Sequence, residues 1–160
     1  MTHQRLLQRE RDIIVTEQFV HSVYGEVTMA ETHPGCKLGL AAGGRILLVT
    51  MLDASRQGID AWVNYSMTVR KDWLHPNVLS LVDMTAEKAG PTPYMQKRTK
   101  DIFAVRPELK TYIAIVLNRG PVGIVVRATV RTANTPMAQY QAFFSSQEAL
   151  NWLSRQGELR

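Results

Sequence analysis

Three short and almost wholly apolar runs constrain the fold of this chain more than any other feature of its sequence. They do not alternate between apolar and polar residues, as half-exposed strands do. Continuous apolar runs of this kind are typical of strands buried on both faces of a sheet. Segments with helical spacing lie between them, and this alternation predicts a parallel or mixed sheet joined by right-handed crossovers. The three runs are residues 45–52, 78–83 and 111–117.

Helical spacing predicts the first two crossover helices. The first covers about residues 58–74, and its inward stripe contains Ile59, Trp62, Val63, Val69 and Trp73. Arg70 falls between these apolar positions and is therefore expected on the polar side. The second helix is capped by Thr92, has a proline in its first turn and ends near Arg106.

Residues 120–133 carry signals for both a helix and a strand. The valines are poor helix formers, which favours a strand. Arg127 and Arg131 are one helical turn apart, which favours a helix, and we predict the helix. Its inward face would then consist of Val122, Val125, Val126 and Ala133. Residues 139–144 alternate as a last strand, and a capping box at 145–148 begins a last helix that ends at Gly157.

The N-terminal third of the chain differs from the alternating part. Residues 1–12 are predicted to be a polar arm, and residues 13–52 a β-rich part with strands at about 13–20, 23–32 and 37–41. His21 and Ser22 are expected to form the first turn. Val27, Met29 and Glu31 are expected to share one face of the second strand.

Strands and helices alternate over residues 53–157. The whole chain, 1–160, is predicted to be a single α/β domain. Its mixed sheet would have a β-α-β-α-β-α-β-α core preceded by an antiparallel β region. Hydrophobic residues make up 45% of the chain and charged residues 21%, which is ordinary for a globular protein.

Composition also bears on compartment and partners. Cys36 is the only cysteine, which excludes an internal disulfide. No apolar run approaches the ~18 residues of a membrane span, and the N-terminus lacks the apolar core of a secretory signal, so a cytoplasmic location is expected. The formal charge of +5 is not concentrated in a dense run, which argues against nucleic acid as a partner.

Polar residues follow the predicted strands, at the edge where open α/β sheets bind ligands. Asp83 and Thr85 follow the second apolar run, Thr92 begins the next helix, and Arg119 precedes the helix at 120. A carboxylate, two hydroxyls and a guanidinium beside helix N–H groups provide the means to hold an anion. These four residues are the predicted binding site, although turns and helix caps use the same residue types.

Motifs for catalysis and for cofactors are missing from the sequence. It contains no G-x-S-x-G elbow and no G-x-G-x-x-G that opens a helix, and the glycine-containing stretch at 39–44 lacks the lysine of a phosphate loop. His33 and Cys36 supply two metal ligands where zinc needs three or four. We therefore predict no catalytic residue, no metal and no cofactor.

Three stretches of the second half carry a family pattern. They are Leu81-Val82-Asp83-Met84-Thr85, Tyr112-Ile113-Ala114-Ile115-Val116, and residues 144–153 with the sequence FSSQEALNWL. Together they resemble the STAS and SpoIIAA-like proteins, the anti-sigma factor antagonist fold, and the last stretch is similar to the ending of small bacterial members. The resemblance implies a mixed sheet with helices mainly on one face, and a role in protein partnership or in binding a small ligand. Phosphorylation switches of this family carry Asp-Ser-x-Gly after the strand, whereas residues 85–92 here contain no serine.

Three functions from different classes are open. The first is a non-enzymatic STAS-like regulatory or protein-interaction domain that uses the predicted strand edge. The second is a carrier of a small molecule or lipid, with an architecture like that of CRAL-TRIO domains. An apolar pocket bounded by the helices near Trp62 and Met95 would favour this carrier.

The third is an enzyme with a site assembled from loops, and a cleft that joins Asp83 and Arg119 to a titratable partner would favour it. The sequence favours a non-enzymatic role. The partner would be a protein or a small ligand. The β edges of the N-terminal region predict, in addition, a homodimer.

Overall fold

The chain folds into strands first and then into alternating strands and helices. The computed structural model describes the backbone of residues 20–22 and the whole of residues 24–157. The strands are β1 (Val20–Ser22), β2 (Gly25–His33), β3 (Cys36–Ala41), β4 (Ile46–Met51), β5 (Asn77–Asp83), β6 (Lys110–Val116) and β7 (Ala138–Phe143). The helices are α1 (Arg56–Lys71), α2 (Pro93–Ala104), α3 (Pro121–Thr129) and α4 (Ser146–Gln156), with a 3₁₀ turn at Val130–Ala133 after α3. In this described part of the chain, no helix has the length and hydropathy needed to cross a bilayer.

All seven strands form one mixed sheet in which the spatial order is the chain order. Strands β1 to β4 pair antiparallel, whereas β4 to β7 pair in parallel. This confirms the predicted α/β fold with antiparallel strands at its N-terminal end. Because β4–β7 run in one direction, their carboxyl ends meet at one edge of the sheet and their amino ends at the opposite edge.

Both faces of the parallel strands are covered. Val78 and Ile113 belong to the core on the side of α1–α3, whereas Leu81 and Ala114 belong to the core under α4. Successive residues of β5 alternate between these cores, so that the whole stretch from Val78 to Asp83 is buried. Burial on both sides explains why the sequences of these strands are continuous apolar runs.

The first hairpin differs from the sequence-based expectation. His21 and Ser22 lie in β1, where they pair with Glu26 and Gly25, and the predicted turn at these two residues is wrong. The predicted arm at 1–12 lies outside the described residues, as does the strand predicted at 13–20 except for Val20.

The predicted face of β2 is also wrong at Met29. This side chain is 61% exposed, and its φ of 50° departs from the extended region. The register of β2 against β3 shifts between Thr28 and Glu31. A bulge of this kind reorients the side chains that follow it and ends the simple alternation that begins at the buried Val27.

The segment at 120–133 is helical, as predicted, but its inward face is not the predicted one. Val122 and Val125 are 71% and 60% exposed. Gly123 is buried instead. It lies so close to the preceding loop that a Cβ there would be 2.1 Å from the carbonyl oxygen of Asn118. The helix therefore packs through its glycine, and Val126 is partly buried against the core.

The start of α1 is fixed by a contact between two glycine backbones. Ser55 caps the helix by accepting a hydrogen bond from the N–H of Gly58 at 3.2 Å. A Cβ on Gly58 would lie 2.9 Å from the carbonyl carbon of Gly35 in the β2–β3 turn. Gly35 itself has a φ of +88°, and a Cβ there would lie 2.6 Å from Asp53 Oδ1. The turn and the helix can approach each other this closely only without side chains.

We expect Gly58→Ala to lower the free energy of unfolding by up to about 2 kcal/mol, measured by urea denaturation. Alanine is favoured over glycine in a helix by about 1 kcal/mol, but overpacking against a fixed backbone costs about 1–3 kcal/mol. Gly90→Ala is the control, because a Cβ at Gly90 meets no atom within 4 Å. A Gly58→Ala protein that is more stable than the wild type would contradict the close contact.

Candidate ligand-binding site

The carboxylate of Asp83 is held by side chains of the protein itself. Asp83 ends β5 and is 8% exposed. Its Oδ2 accepts a hydrogen bond of 2.7 Å from the Tyr24 hydroxyl. Its Oδ1 accepts two bonds from Thr85, one from the backbone N–H and one from the hydroxyl. Ser146, at the start of α4, donates to the oxygen of Tyr24, so the network ties α4 and the start of β2 to the carboxyl edge of the sheet.

The other two predicted site residues lie apart from this network. Thr92 is the N-cap of α2, and its Oγ1 accepts a hydrogen bond of 3.1 Å from the N–H of Met95. Arg119 is exposed, and its guanidinium lies 5.9 Å from the centre of the Phe144 ring. Within the described chain, no hydrogen bond or ion pair joins Thr92 or Arg119 to Asp83. The structure thus brings Asp83 and Thr85 together, and binding by the set of four stays a prediction.

A cavity of about 880 Å³ lies between the sheet and the three crossover helices. Trp62 of α1 and Met95 of α2 both line it. The volume falls in the range of about 300–1,000 Å³ that is typical of small-molecule sites. The floor consists of alternate strand residues: Leu47, Val78, Ser80, Val82, Thr111, Ile113, Ile115, Ala138 and Tyr140.

The cavity exists because α2 does not lie directly on the sheet. On the opposite face, α4 approaches β5, β6 and β7 closely, helped by the small and fully buried Ala149. By contrast, α2 packs along α1. Of the 12 residues that the structure describes in α2, Met95 alone is buried.

Two hydrogen bonds attach α2 to α1. The hydroxyl of Tyr94 and the Nε of Arg98 both donate to Asp60 Oδ1, at 2.6 and 2.9 Å. The bond from Tyr94, followed by the bond from Arg98, holds the pKa of Asp60 below its ordinary value. These contacts fix α2 to its neighbouring helix and leave the space beneath it open.

The mouth of the cavity faces the gap between α2 and the 3₁₀ turn. Gln96 and Lys100 of α2 line it and are exposed. Thr132 and Ala133 line it from the other side and are exposed as well. The residues of the floor are mostly buried, so the cavity has a covered floor beneath a partly open rim.

Buried polar groups concentrate at this cavity. Among the residues that the structure describes, five polar or charged residues are buried, and four of them line the cavity. They are Ser66, Arg70, Ser80 and Thr111, and the fifth is Asp83. Arg70 and Thr111 are hydrogen-bonded to each other, whereas the Oγ of Ser66 has no partner among the described residues.

Arg70 is the buried charge among these groups, and the prediction that it lies on the polar side of α1 is wrong. It is 2% exposed. Its Nη1 donates to Thr111 Oγ1 at 2.7 Å, and its other nitrogens donate to the carbonyl oxygens of Val105, Arg106 and Leu109. Burial lowers the pKa of Arg70, because desolvation penalises the charged form.

The positions of Ser66 and Arg70 in the sequence indicate burial, although their polar side chains suggest exposure to solvent. Together with the buried Ile59 and Val63, these two residues follow one another at steps of four, three and four, which is one face of a helix. Their charge and hydroxyl suggest a solvated position. The spacing, which is a matter of geometry, places them inside.

Cys36 and His33 do not form a reactive or metal-binding pair. Cys36 is fully buried, and burial raises the pKa of its thiol to about 11. His33 pairs with Glu31, with 2.8 Å between His33 Nε2 and Glu31 Oε2. In the part of the chain that is described, no group of three or more His, Cys, Asp or Glu side chains is placed to hold a metal ion.

We expect Tyr24→Phe to lower the free energy of unfolding at neutral pH by about 1–3 kcal/mol, because Asp83 loses a buried donor. Burial, aided by the bond to Asp83, raises the pKa of Tyr24 above its ordinary value of 10.0. The folded state therefore binds the phenolic proton more tightly, and the stability from Tyr24 is lost as pH rises above about 10. Urea denaturation at two pH values checks this: the difference in free energy of unfolding between wild type and variant should become smaller at alkaline pH. A difference that is constant or grows would contradict the assignment.

Comparisons with protein-family models, with curated proteins and with solved structures find no match for this chain. The resemblance of residues 81–153 to STAS proteins therefore stays a prediction.

Proposed function

We propose that this protein binds an apolar or amphipathic small molecule in the cavity between its sheet and helices α1–α3. The observation that carries the proposal is the cavity of about 880 Å³, which includes both Trp62 and Met95 in its walls. This is the feature that distinguishes a ligand carrier from an interaction domain with a flat site.

The chemistry of the walls supports an apolar ligand. Val82, Ile113 and Ile115 on the floor, and Trp62 and Met95 in the helices, present hydrocarbon, indole and thioether surface. Transfer of apolar surface from water into such a site is favourable by about 25 cal/mol per Å². Binding of an apolar ligand removes apolar surface of the ligand and of the cavity walls from water, and both contributions favour binding.

The position of α2 supports entry of a ligand. The helix packs along α1 rather than on the sheet, and it buries Met95 alone among its described residues, with Ile102 and Phe103 partly buried against the core. Elements with few buried contacts are those that open at low free energy. A ligand can therefore reach the cavity through the gap beside α2 without disrupting the sheet.

The two other functions receive less support from the geometry. The carboxylate of Asp83 accepts three hydrogen bonds from Tyr24 and Thr85, so its lone pairs are largely occupied inside the protein. The interaction role at the strand edge, the homodimer and the STAS resemblance that motivates them stay predictions. An enzyme site at Asp83 would need a contact with Arg119, and the described residues provide none.

Titration with Nile red, an uncharged dye whose fluorescence rises in apolar surroundings, tests the proposal. We expect saturable binding to the folded protein with one dye molecule per chain. Native mass spectrometry of protein purified from its own cells should also show an added mass on the 18.1 kDa chain. The proposal fails if the dye does not bind and the purified protein carries no added mass.

A pair of isoleucine substitutions locates the bound dye. Ile115→Trp places an indole inside the cavity, and we expect it to weaken Nile red binding by roughly tenfold or more, since overpacking an apolar site costs about 1–3 kcal/mol. Ile124→Trp is the matched control, because Ile124 is 61% exposed and does not line this cavity. Thermal denaturation verifies that both variants fold. Equal dye affinity of the two folded variants would place the dye elsewhere.

A further inference from the structure

The one buried charge of the cavity lies toward one of its ends. Arg70 lies near the end of α1, and its hydrogen-bond partner Thr111 is the second residue of β6, so both are at the amino edge of the parallel strands. Met84 and Met95 line the cavity near the carboxyl edge, just after β5 and in the first turn of α2. The buried guanidinium and the two thioethers therefore lie toward opposite ends of the cavity.

The charge of Arg70 is buried without a carboxylate. All four of its hydrogen bonds go to neutral oxygens, three of them backbone carbonyls and one the hydroxyl of Thr111. Within the described chain, no acidic group forms an ion pair with it, and the nearby Glu108 is paired with Arg106 at 3.0 Å. A buried charge that lacks a counter-ion is costly, and an anion beside it would remove that cost.

One N–H of Arg70 remains free for such an anion. A guanidinium has five N–H donors, and the four bonds occupy Nε, one hydrogen of Nη1 and both hydrogens of Nη2. The second hydrogen of Nη1 has no acceptor among the described residues. Arg70 lines the cavity, so a ligand oxygen can supply that acceptor.

Ser66 provides a second, independent donor one helical turn away. It is 2% exposed and lines the cavity, and its Oγ has no hydrogen-bond partner among the described residues. Polar atoms buried to this degree are rarely left unsatisfied in native proteins. Residues four apart on a helix lie on the same face, so Ser66 and Arg70 both belong to the face of α1 that lines the cavity.

We infer that the ligand is a long-chain monocarboxylate, with its carboxylate at Arg70 and Ser66 and its alkyl chain toward Met84 and Met95. The inference rests on the proposed function and names its substrate class. One buried cation balances one negative charge, which fits a carboxylate better than a phosphate monoester with up to two. Two donors on one face match the two oxygens of a carboxylate.

Three probes of equal chain length test this on the wild-type protein: dodecanoate, dodecan-1-ol and methyl dodecanoate, each used below its aggregation limit to displace Nile red. We expect dodecanoate to bind roughly tenfold more tightly than the alcohol or the ester, because charge-assisted hydrogen bonds are stronger than those between neutral groups. Equal affinity of the three probes overturns the inference and leaves the proposed function standing. Failure of all three probes and of the dye overturns the proposed function itself.

Ser66→Ala separates a binding role from a structural one. Removing an unsatisfied buried hydroxyl should leave the apo protein at least as stable as the wild type. We expect the variant to bind dodecanoate several-fold more weakly while its affinity for methyl dodecanoate is unchanged. Ser154→Ala, on α4 across the sheet, is the matched control and should alter neither affinity. An unchanged dodecanoate affinity in Ser66→Ala overturns the assignment of Ser66.

Arg70→Lys tests the charge and Arg70→Gln removes it. We expect Arg70→Lys to retain a preference for dodecanoate over the ester and Arg70→Gln to lose it, in each case for protein that unfolds cooperatively on heating. If Arg70→Gln folds and keeps the preference, the head-group position is wrong. If neither variant folds, the comparison of the three probes on the wild-type protein still decides the inference.

Discussion

Burial of the parallel strands on both faces is the constraint on which the rest of this structure depends. Right-handed crossovers bring α1, α2 and α3 to the same face, so α4 has to cover the other. The two faces are covered differently. The small Ala149 lets α4 lie directly on the strands, whereas α2 packs along α1 and leaves a void over β5 and β6. The cavity thus results from where the helices pack rather than from any gap in the sheet.

Much of this fold could be predicted from the sequence, because its strongest signals are local. The apolar runs, the caps at Thr92 and Ser145 and the stop at Gly157 all depend on residues within a few positions of one another. The bulge at Met29 could not be predicted, because it depends on the register against β3. The outward valines of α3 could not either, since the buried position of Gly123 against Asn118 decides which side of the helix faces the core.

The candidate site shows a similar division. The sequence identified Asp83 as a polar residue at the strand edge, but only the folded chain brings Tyr24 to its carboxylate. Arg70 was not predicted as a buried residue, because its charge suggested exposure to solvent. Its helical spacing from Val63 and Ser66 nevertheless indicated a buried position. A buried arginine depends on distant acceptors, here the carbonyls of residues 105, 106 and 109. Such acceptors come from a loop that is some 35 residues further along the chain.

The packing of α2 along α1, rather than directly on the sheet, has a consequence for how this domain can change. Among the cavity-lining residues of α2, Gln96 and Lys100 are exposed, whereas Phe103 packs against the core and against the ring of Tyr140. Substitutions at Gln96 or Lys100 alter the rim of the cavity at little cost to folding, whereas substitutions on the floor, such as at Ile113, affect the core that holds the sheet together. The positions that shape the rim of the cavity are therefore separate from those on which the stability of the sheet depends. The rim can change in sequence while the sheet beneath it stays the same.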